Sequence, residues 1–199
     1  MTDRETQGLA AEAKEYVVRA ISGVGDMAEA VVDVTTKIVF RTLRRTKATG
    51  SDLRQIVAST VTGTVHGVAL VGGDVESAAA FIMLGAVRGA KQVGMTGISA
   101  VSATSAALVR EAAEAGADVG RTARSAMEAA IRSAHDLDVT AELAASAAAS
   151  GALIGAGEVS NMAMDQVRDV VTRTIAGIRV VITEPFQLNE PLRPQDDMI

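Results

Sequence analysis

The sequence predicts an all-α protein, an antiparallel array or bundle of about eight helices built from 22-residue repeats. Residues 51–182 divide without a gap into six segments of 22 residues, and a fixed period of this length is typical of repeat architectures. The segments share an apolar fifteenth position, filled by Val65, Val87, Val109, Ile131, Leu153 and Ile175. Hydrophobic residues make up 48% of the chain but aromatic residues only 2%, which favours helices that pack closely through small side chains.

Two helices are predicted before the regular repeats. The first spans about residues 6–21, where Leu9, Ala13 and Val17 recur at helical spacing. The second is expected to begin after Asp26 as N-cap and to run to about Lys47. Gly50 then stands where a helix often ends on a left-handed residue. This first unit is longer than the others, as the end unit of an array often is.

The repeat boundaries share a helix stop followed by a helix start. A glycine with positive φ ends one helix, and an Asp or Thr oxygen caps the next. The pairs are Gly50–Asp52, Gly72–Asp74, Gly94–Thr96, Gly116–Asp118, Asp138–Thr140 and Ser160–Asn161. They predict helices of about 18–20 residues, and such short connections make consecutive helices antiparallel. A closed bundle, an open solenoid and long rods all remain compatible with this pattern.

Three repeats carry a pair of glycines at their thirteenth and seventeenth positions. These are Gly63, Gly67, Gly85, Gly89, Gly151 and Gly155. A glycine inside a helix costs about 1 kcal/mol relative to alanine. Close approach of neighbouring helix backbones would offset this cost, so we predict that the six glycines are helix-packing residues.

The chain is expected to form a single helical-repeat domain over residues 1–182, followed by a tail over residues 183–199. The tail holds all three prolines and is acidic. It contains four carboxylates, Glu184, Glu190, Asp196 and Asp197, and one cation, Arg193. It is interpreted as either a disordered segment or one that docks on a partner. In the second case Phe186, Leu188 and Leu192 would be the docking side chains.

The sequence predicts no catalytic, cofactor-binding or metal-binding site, and hence no enzyme. The chain has no cysteine, which excludes disulfides and thiolate chemistry. His66 and His135 have no second ligand at metal-binding spacing and are interpreted as surface or satisfied helix residues. Glu111 and Glu114 share a helix, but no Glu-x-x-His pattern accompanies them. A deep polar pocket lined by Glu111, Glu114 or His135 would change this interpretation.

The charges indicate which partners the protein can have. A formal net charge of −5 argues against nucleic-acid binding. One cationic cluster ends the second helix and consists of Arg41, Arg44, Arg45 and Lys47. These cations would interact favourably with the negative end of the helix dipole. Alternatively, they would contact an anionic surface. A column of Arg88, Arg110 and Arg132 at the sixteenth repeat position is predicted to pair with carboxylates such as Glu114 and Asp136.

The N-terminal residues lack a signal-peptide pattern, so the expected compartment is the cytoplasm. The long uncharged runs at residues 55–73 and 92–109 are diluted by Ser, Thr and Gly. They predict buried helices of a soluble protein rather than membrane spans.

The segments GAVRGAKQVG at residues 85–94 and AEAKEYVVRAISGVG at residues 11–25 resemble bacterial proteins of Ala/Gly-rich helical repeats. Those proteins have no established function. The chain is also loosely similar to phasins, which are Ala-rich and cysteine-poor and coat polyester storage granules. The resemblance implies a helical bacterial protein and transfers no functional residue.

We therefore expect a non-enzymatic structural or interaction protein. It would associate with itself, through closely packed small-residue helix faces, into an oligomer or filament. The alternative is a peripheral, phasin-like protein that coats a lipid or granule surface. The period of 22 residues, twice 11, suits amphipathic helices on lipid, as in exchangeable apolipoproteins, but the scarcity of large hydrophobic side chains and lysine disfavours that use.

Overall fold

Eight helices form the described part of the chain, which comprises residues 2–24, 26–46, 50–94, 97–173 and 175–180 of a computed structural model. They are α1 Asp3–Val24, α2 Met27–Thr46, α3 Gly50–Leu70, α4 Val75–Lys91, α5 Gly97–Glu114, α6 Val119–Ser133, α7 Ala141–Val159 and α8 Asn161–Val171. Within these residues no β-strand is present, apart from one isolated bridge between Ile175 and Ile178. The predicted all-α class and the number of helices are confirmed.

The helices stack in two layers. The first layer contains α1, α3, α5 and α7, and the second contains α2, α4, α6 and α8. Each helix packs on its neighbours in the chain and on the helix two positions away. Gly63 and Gly67 of α3 meet the carbonyl groups of Ala10 and Lys14 in that order, so helices of one layer run parallel while consecutive helices run antiparallel. Among the described residues the first pair of helices does not pack on the last pair, so these helices form an open solenoid rather than a closed bundle.

Three of the predicted repeat boundaries have the expected stop and start. Gly72 and Gly116 have φ values of +74° and +73°, and the carboxylates of Asp74 and Asp118 cap α4 and α6. At the third boundary Asp138 takes the left-handed conformation with φ of +56°, and the hydroxyl of Thr140 caps α7. Gly94 is also left-handed, but its predicted partner Thr96 lies outside the described residues.

Two other boundaries differ from the prediction. Gly50 is the first residue of α3 and not the end of α2, so Asp52 lies inside the first turn of α3 and not before the helix. At the last boundary Ser160 is extended, follows the end of α7 and itself caps α8 with its hydroxyl. No left-handed residue is needed there, because one extended residue already reverses the chain. The N-cap role of Asp26 is confirmed, since its Oδ1 accepts hydrogen bonds from the amides of Ala28 and Glu29.

The last repeat is helical only in its first half, so the prediction of a long eighth helix is wrong. Helix α8 ends at Val171, and the chain turns back at Ala176 and Gly177, which have φ values of +48° and +80°. Ile175 and Ile178 exchange backbone hydrogen bonds of 3.0 and 2.8 Å across this turn. The turn buries Ile175 in the core. Two consecutive residues with positive φ form a tight turn that reverses the chain. A helix that continued through residue 175 could not make this turn.

The core runs through the middle of the stack and is built largely from alanine and valine. Helix α4 has two apolar faces, because Val75, Ala79 and Ile82 are buried on one side and Ala78 and Gly85 on the other. A helix that is apolar on two sides is packed between neighbours. The fully buried large side chains, such as Leu108 and Met127, are few in this core.

The N-cap aspartates make the stability of the stack depend on pH. Hydrogen bonds from the Ser77 hydroxyl and amide lower the pKa of Asp74, and the amide of Arg121 lowers the pKa of Asp118. Both pKa values then lie below the unfolded value of about 3.9. The unfolded chain therefore takes up protons first as the pH falls, and the stabilisation is complete above about pH 5 and lost below it.

We expect the Asp74→Asn, Asp118→Asn double variant to unfold at a similar urea concentration to the natural chain at pH 3, and at a slightly lower one at pH 7. Asparagine is an equally good N-cap but does not titrate. The control is Asp165→Asn, Asp169→Asn, which removes the same number of charges from exposed positions within α8 that cap no helix. An unchanged difference between the two chains at pH 7 and pH 3 would contradict this role of the caps.

Candidate functional site

The six predicted packing glycines lie at contacts between helices of one layer. Gly63 and Gly67 of α3 face α1, Gly85 and Gly89 of α4 face α2, and Gly151 and Gly155 of α7 face α5. Added Cβ atoms at Gly85 and Gly89 would lie 2.8 Å from the carbonyl oxygens of Val32 and Thr36. All six glycines are buried. The glycine faces are thus used inside the chain, where the missing Cβ allows backbone-to-backbone contact.

The contact between α3 and α5 differs from these three. The thirteenth and seventeenth positions of the α5 repeat are Ala107 and Glu111 instead of glycines. Glu111 therefore points its carboxylate into the layer at the place equivalent to Gly67 and Gly155. Its side chain is only 4% exposed, which is rare for a glutamate.

His66 of α3 and Glu114 of α5 surround this carboxylate. The imidazole Nε2 of His66 lies 3.7 Å from Oε2 of Glu111. One ligand atom from each of His66, Glu111 and Glu114 lies within 4.8 Å of the other two. His66 and Glu114 are both exposed, so the group opens to solvent on the outer surface of the first layer. We call these three residues the histidine–carboxylate cluster.

The two oxygens of Glu111 have different surroundings. Oε1 accepts a hydrogen bond of 2.7 Å from the Thr62 hydroxyl and lies 3.5 Å from Nε of Arg110. Oε2 is buried and has no hydrogen-bond partner among the described residues. Arg110 also forms an ion pair of 3.0 Å with Glu158 of α7, not with Glu114 as predicted. The reason is that α7 is the next helix of the same layer.

Sequence reasoning did not find the histidine–carboxylate cluster, although a signal was present. Position 17 holds a glycine in four repeats but a glutamate at Glu111, and position 16 holds His66 where three later repeats have arginine. These positions belong to alternate repeats, which only the layered packing brings together. Arg132 was predicted to pair with Asp136, but no ion pair between these two side chains is present in the described part of the chain.

A groove lies between α1 and α2 at the first end of the stack. It has a volume of about 510 Å³, and its lining combines apolar and charged residues, with more cations than carboxylates. The apolar ones are Tyr16, Ala20, Val34, Ile38 and Phe40, and the charged ones are Arg19, Asp33, Lys37 and Arg41. The residues that face the next pair of helices, such as Ala13 of α1 and Thr35 of α2, lie on other sides of these helices. The groove therefore opens away from the stack. We call it the end groove.

One residue of the predicted cationic cluster, Arg41, lines the end groove. Arg41 lies 5.8 Å from the ring centroid of Tyr16 and forms a 2.6 Å ion pair with Glu12, and Arg44 lies 5.8 Å from the centroid of Phe40. Arg45 is exposed on the same last turns of α2. The second half of α2, from residue 37 to residue 46, carries four cations and no carboxylate. Lys47 and the tail residues Phe186, Leu188 and Leu192 lie outside the described residues.

None of the described helices is long and apolar enough to cross a membrane. The large exposed hydrophobic side chains of the described residues are scattered over four helices. They are Tyr16, Leu70, Leu143, Ile154, Val159 and Met162. Such single exposed residues are normal on protein surfaces.

Compared with known proteins, the chain matches none of the family models and none of the curated sequences. What the protein does must therefore be argued from its own surfaces and side chains.

Proposed function

We propose that this protein is a non-enzymatic interaction protein that associates with itself end to end, as a cytoplasmic oligomer or filament. The observation that supports this proposal is the end groove, an apolar surface that opens away from the stack at its first helical pair. Inside a solenoid, the corresponding surface of each helical pair is covered by the neighbouring pair. At the first end a second copy of the chain would cover it.

The end groove replaces the glycine faces as the surface of self-association. The six glycines are buried against α1, α2 and α5 of their own chain, so a second copy has no access to them. The outward sides of α1 and α2, by contrast, keep a half-exposed Tyr16 and a partly exposed Phe40 beside each other. Aromatic residues of this kind are enriched at protein interfaces.

The occupant we propose is the acidic tail of another copy, residues 183–199. Its apolar side chains Phe186, Leu188 and Leu192 suit the apolar lining, and its net charge of −3 suits the cationic border formed by the second half of α2. The last described residues follow α8, in the last helical pair of the stack. These residues lie at the end of the stack opposite the groove, so a tail that follows them would let one copy bind the next in a head-to-tail manner.

Head-to-tail contacts generate open filaments or closed rings instead of symmetric dimers. We expect the average mass of the natural chain to rise with concentration in sedimentation velocity, and to fall again in 0.5 M salt because charge contributes to the contact. A mass equal to that of one chain at every concentration would contradict the proposal.

Two variants of the full chain separate the two halves of the contact. The tail variant is Phe186→Ser, Leu188→Ser, Leu192→Ser, and the groove variant is Arg41→Glu, Arg44→Glu. Each is expected to remain monomeric alone, since it lacks one half. A mixture of the two is expected to form a 1:1 complex that does not grow further, because it contains one intact groove and one intact tail. A mixture that stays monomeric would overturn the head-to-tail arrangement.

The matched control for the groove variant is Arg88→Glu, Arg132→Glu. It makes the same change of charge on exposed arginines of α4 and α6, away from the end groove. We expect it to associate like the natural chain. If it also became monomeric, net charge and not the groove would govern association.

The phasin-like alternative has less support from the surface of the protein. A lipid-surface helix presents a continuous apolar face. Here the apolar faces of the helices are buried in the stack, and the exposed hydrophobic side chains are scattered. Flotation of a monomeric chain with anionic vesicles would favour this alternative over self-association.

A further inference from the structure

We propose that the histidine–carboxylate cluster binds a divalent transition-metal ion between α3 and α5. His66 would supply an imidazole nitrogen, and Glu111 and Glu114 would each supply a carboxylate oxygen. The remaining coordination positions would be filled by water, because the cluster opens to solvent at His66 and Glu114. The expected role is to connect the two helices of the first layer that lack a glycine contact.

The first argument is the buried oxygen of Glu111. Its Oε2 has no hydrogen-bond partner among the described residues, although the side chain is 4% exposed. A buried polar oxygen without a partner is unfavourable even when the other oxygen of the same carboxylate is paired, and buried polar groups are normally hydrogen-bonded or bound to metals. The His66 imidazole faces Oε2 with its Nε2 at 3.7 Å, which is beyond hydrogen-bond distance.

The second argument is the geometry of the donor atoms. In a tetrahedral zinc site with bonds of about 2.0–2.2 Å, two ligand atoms lie about 3.3–3.5 Å apart. The distance between His66 Nε2 and Glu111 Oε2 is already near this value. His66 and Glu114 are exposed, so rotation of their side chains is sufficient to close the group around an ion.

The chemistry of the donors selects the type of ion. One imidazole nitrogen and two carboxylate oxygens suit Zn²⁺, Mn²⁺ or Fe²⁺, whereas Mg²⁺ and Ca²⁺ prefer oxygen ligands alone. Three protein ligands leave room for water, as in open zinc sites. The absence of cysteine in the chain excludes a thiolate site in its place.

Two neighbouring groups hold Glu111 in the orientation that the ion requires. The Thr62 hydroxyl and the Arg110 guanidinium both lie on the side of Oε1, which leaves Oε2 directed towards His66. Hydrogen bonds of this kind to a ligating carboxylate fix its position. Arg110 is itself held by Glu158 of α7, so its positive charge is shared with a second carboxylate.

The test is titration of the full chain, first freed of metal by a chelator, with Co²⁺ and Zn²⁺. We expect one ion per chain, a Co²⁺ absorption spectrum that Zn²⁺ abolishes, and a rise in the melting temperature with Zn²⁺ but not with equimolar Mg²⁺. His66→Gln and Glu114→Gln are each expected to weaken binding by at least about tenfold. Both residues are exposed, so these variants keep the fold.

The matched controls are His135→Gln and Glu142→Gln, which remove the same groups from exposed positions outside the cluster. They are expected to bind Co²⁺ and Zn²⁺ like the natural chain. No binding at 0.1 mM metal would overturn the proposal and leave His66 and Glu111 as a simple ion pair. Equal binding by the natural chain and His66→Gln would also overturn it, by placing the ion elsewhere.

Discussion

Replacement of Leu108 by alanine is expected to lower the melting temperature by roughly 6–20 °C. Leu108 is fully buried in α5, at the centre of the first layer. Truncation of a buried leucine costs about 3–5 kcal/mol where the surroundings cannot close the cavity. Here many of the surrounding core residues are alanines, whose side chains have no rotamers that could fill the space. A change of 1 kcal/mol shifts the melting temperature of a chain of this size by about 2–4 °C.

The matched control is Leu143→Ala in α7, where the side chain is 49% exposed. Its effect should be less than about 1 kcal/mol, since it buries little apolar surface and alanine favours the helix. Thermal unfolding followed by circular dichroism measures both variants. Similar losses for the two leucines would contradict the burial pattern of α5.

Replacement of Gly151 by alanine is expected to destabilise the protein, although alanine is the better helix former. The new Cβ would overlap the carbonyl oxygen of Ser102 in α5. This obstacle is backbone and not a flexible side chain, so α5 and α7 would have to separate along their contact. Overpacking of this kind costs about 1–3 kcal/mol or more and outweighs the gain of about 1 kcal/mol in helix propensity. We expect a net loss of about 2 kcal/mol, or a fall of about 4–8 °C in melting temperature.

Gly8→Ala is the matched control and should have the opposite sign. Gly8 lies inside α1, is exposed, and has no atom of another group within 4 Å of an added Cβ. Alanine there should stabilise the protein by up to about 1 kcal/mol. If Gly151→Ala were stabilising as well, close approach would not explain the glycines.

The class of the fold and the number of helices follow from the sequence, because both are encoded locally. A glycine such as Gly72 or Gly116, followed two residues later by an aspartate, has the chemistry to end one helix and cap the next. Where the chain uses other means, the sequence misleads. Gly50 begins a helix instead of ending one, and the reversal at Ala176 and Gly177 interrupts a repeat whose apolar pattern continues.

The histidine–carboxylate cluster could not be predicted from residue spacing, because His66 and Glu111 are 45 positions apart and lie in alternate repeats. The sequence contains their anomalies, a glutamate in a glycine column and a histidine in an arginine column. It does not show that each repeat packs on the repeat two positions further along the chain. The end groove was missed for a similar reason, since it requires two outward helix faces to be neighbours.

The sequence by itself determined the helical class of this protein, the number of its helices and several of their boundaries, and that small residues would bring the helices together. Capping, left-handed glycines and apolar period act within a few residues, so they can be recognised along the chain. Only the tertiary structure decided that the helices form two layers, with parallel helices within each layer, in a stack with open ends. That choice depends on which helix faces pack against each other. A glycine pair allows close contact but does not specify which helix makes it. The same packing places the carboxylate of Glu111 beside His66, where the proposed metal site can be tested.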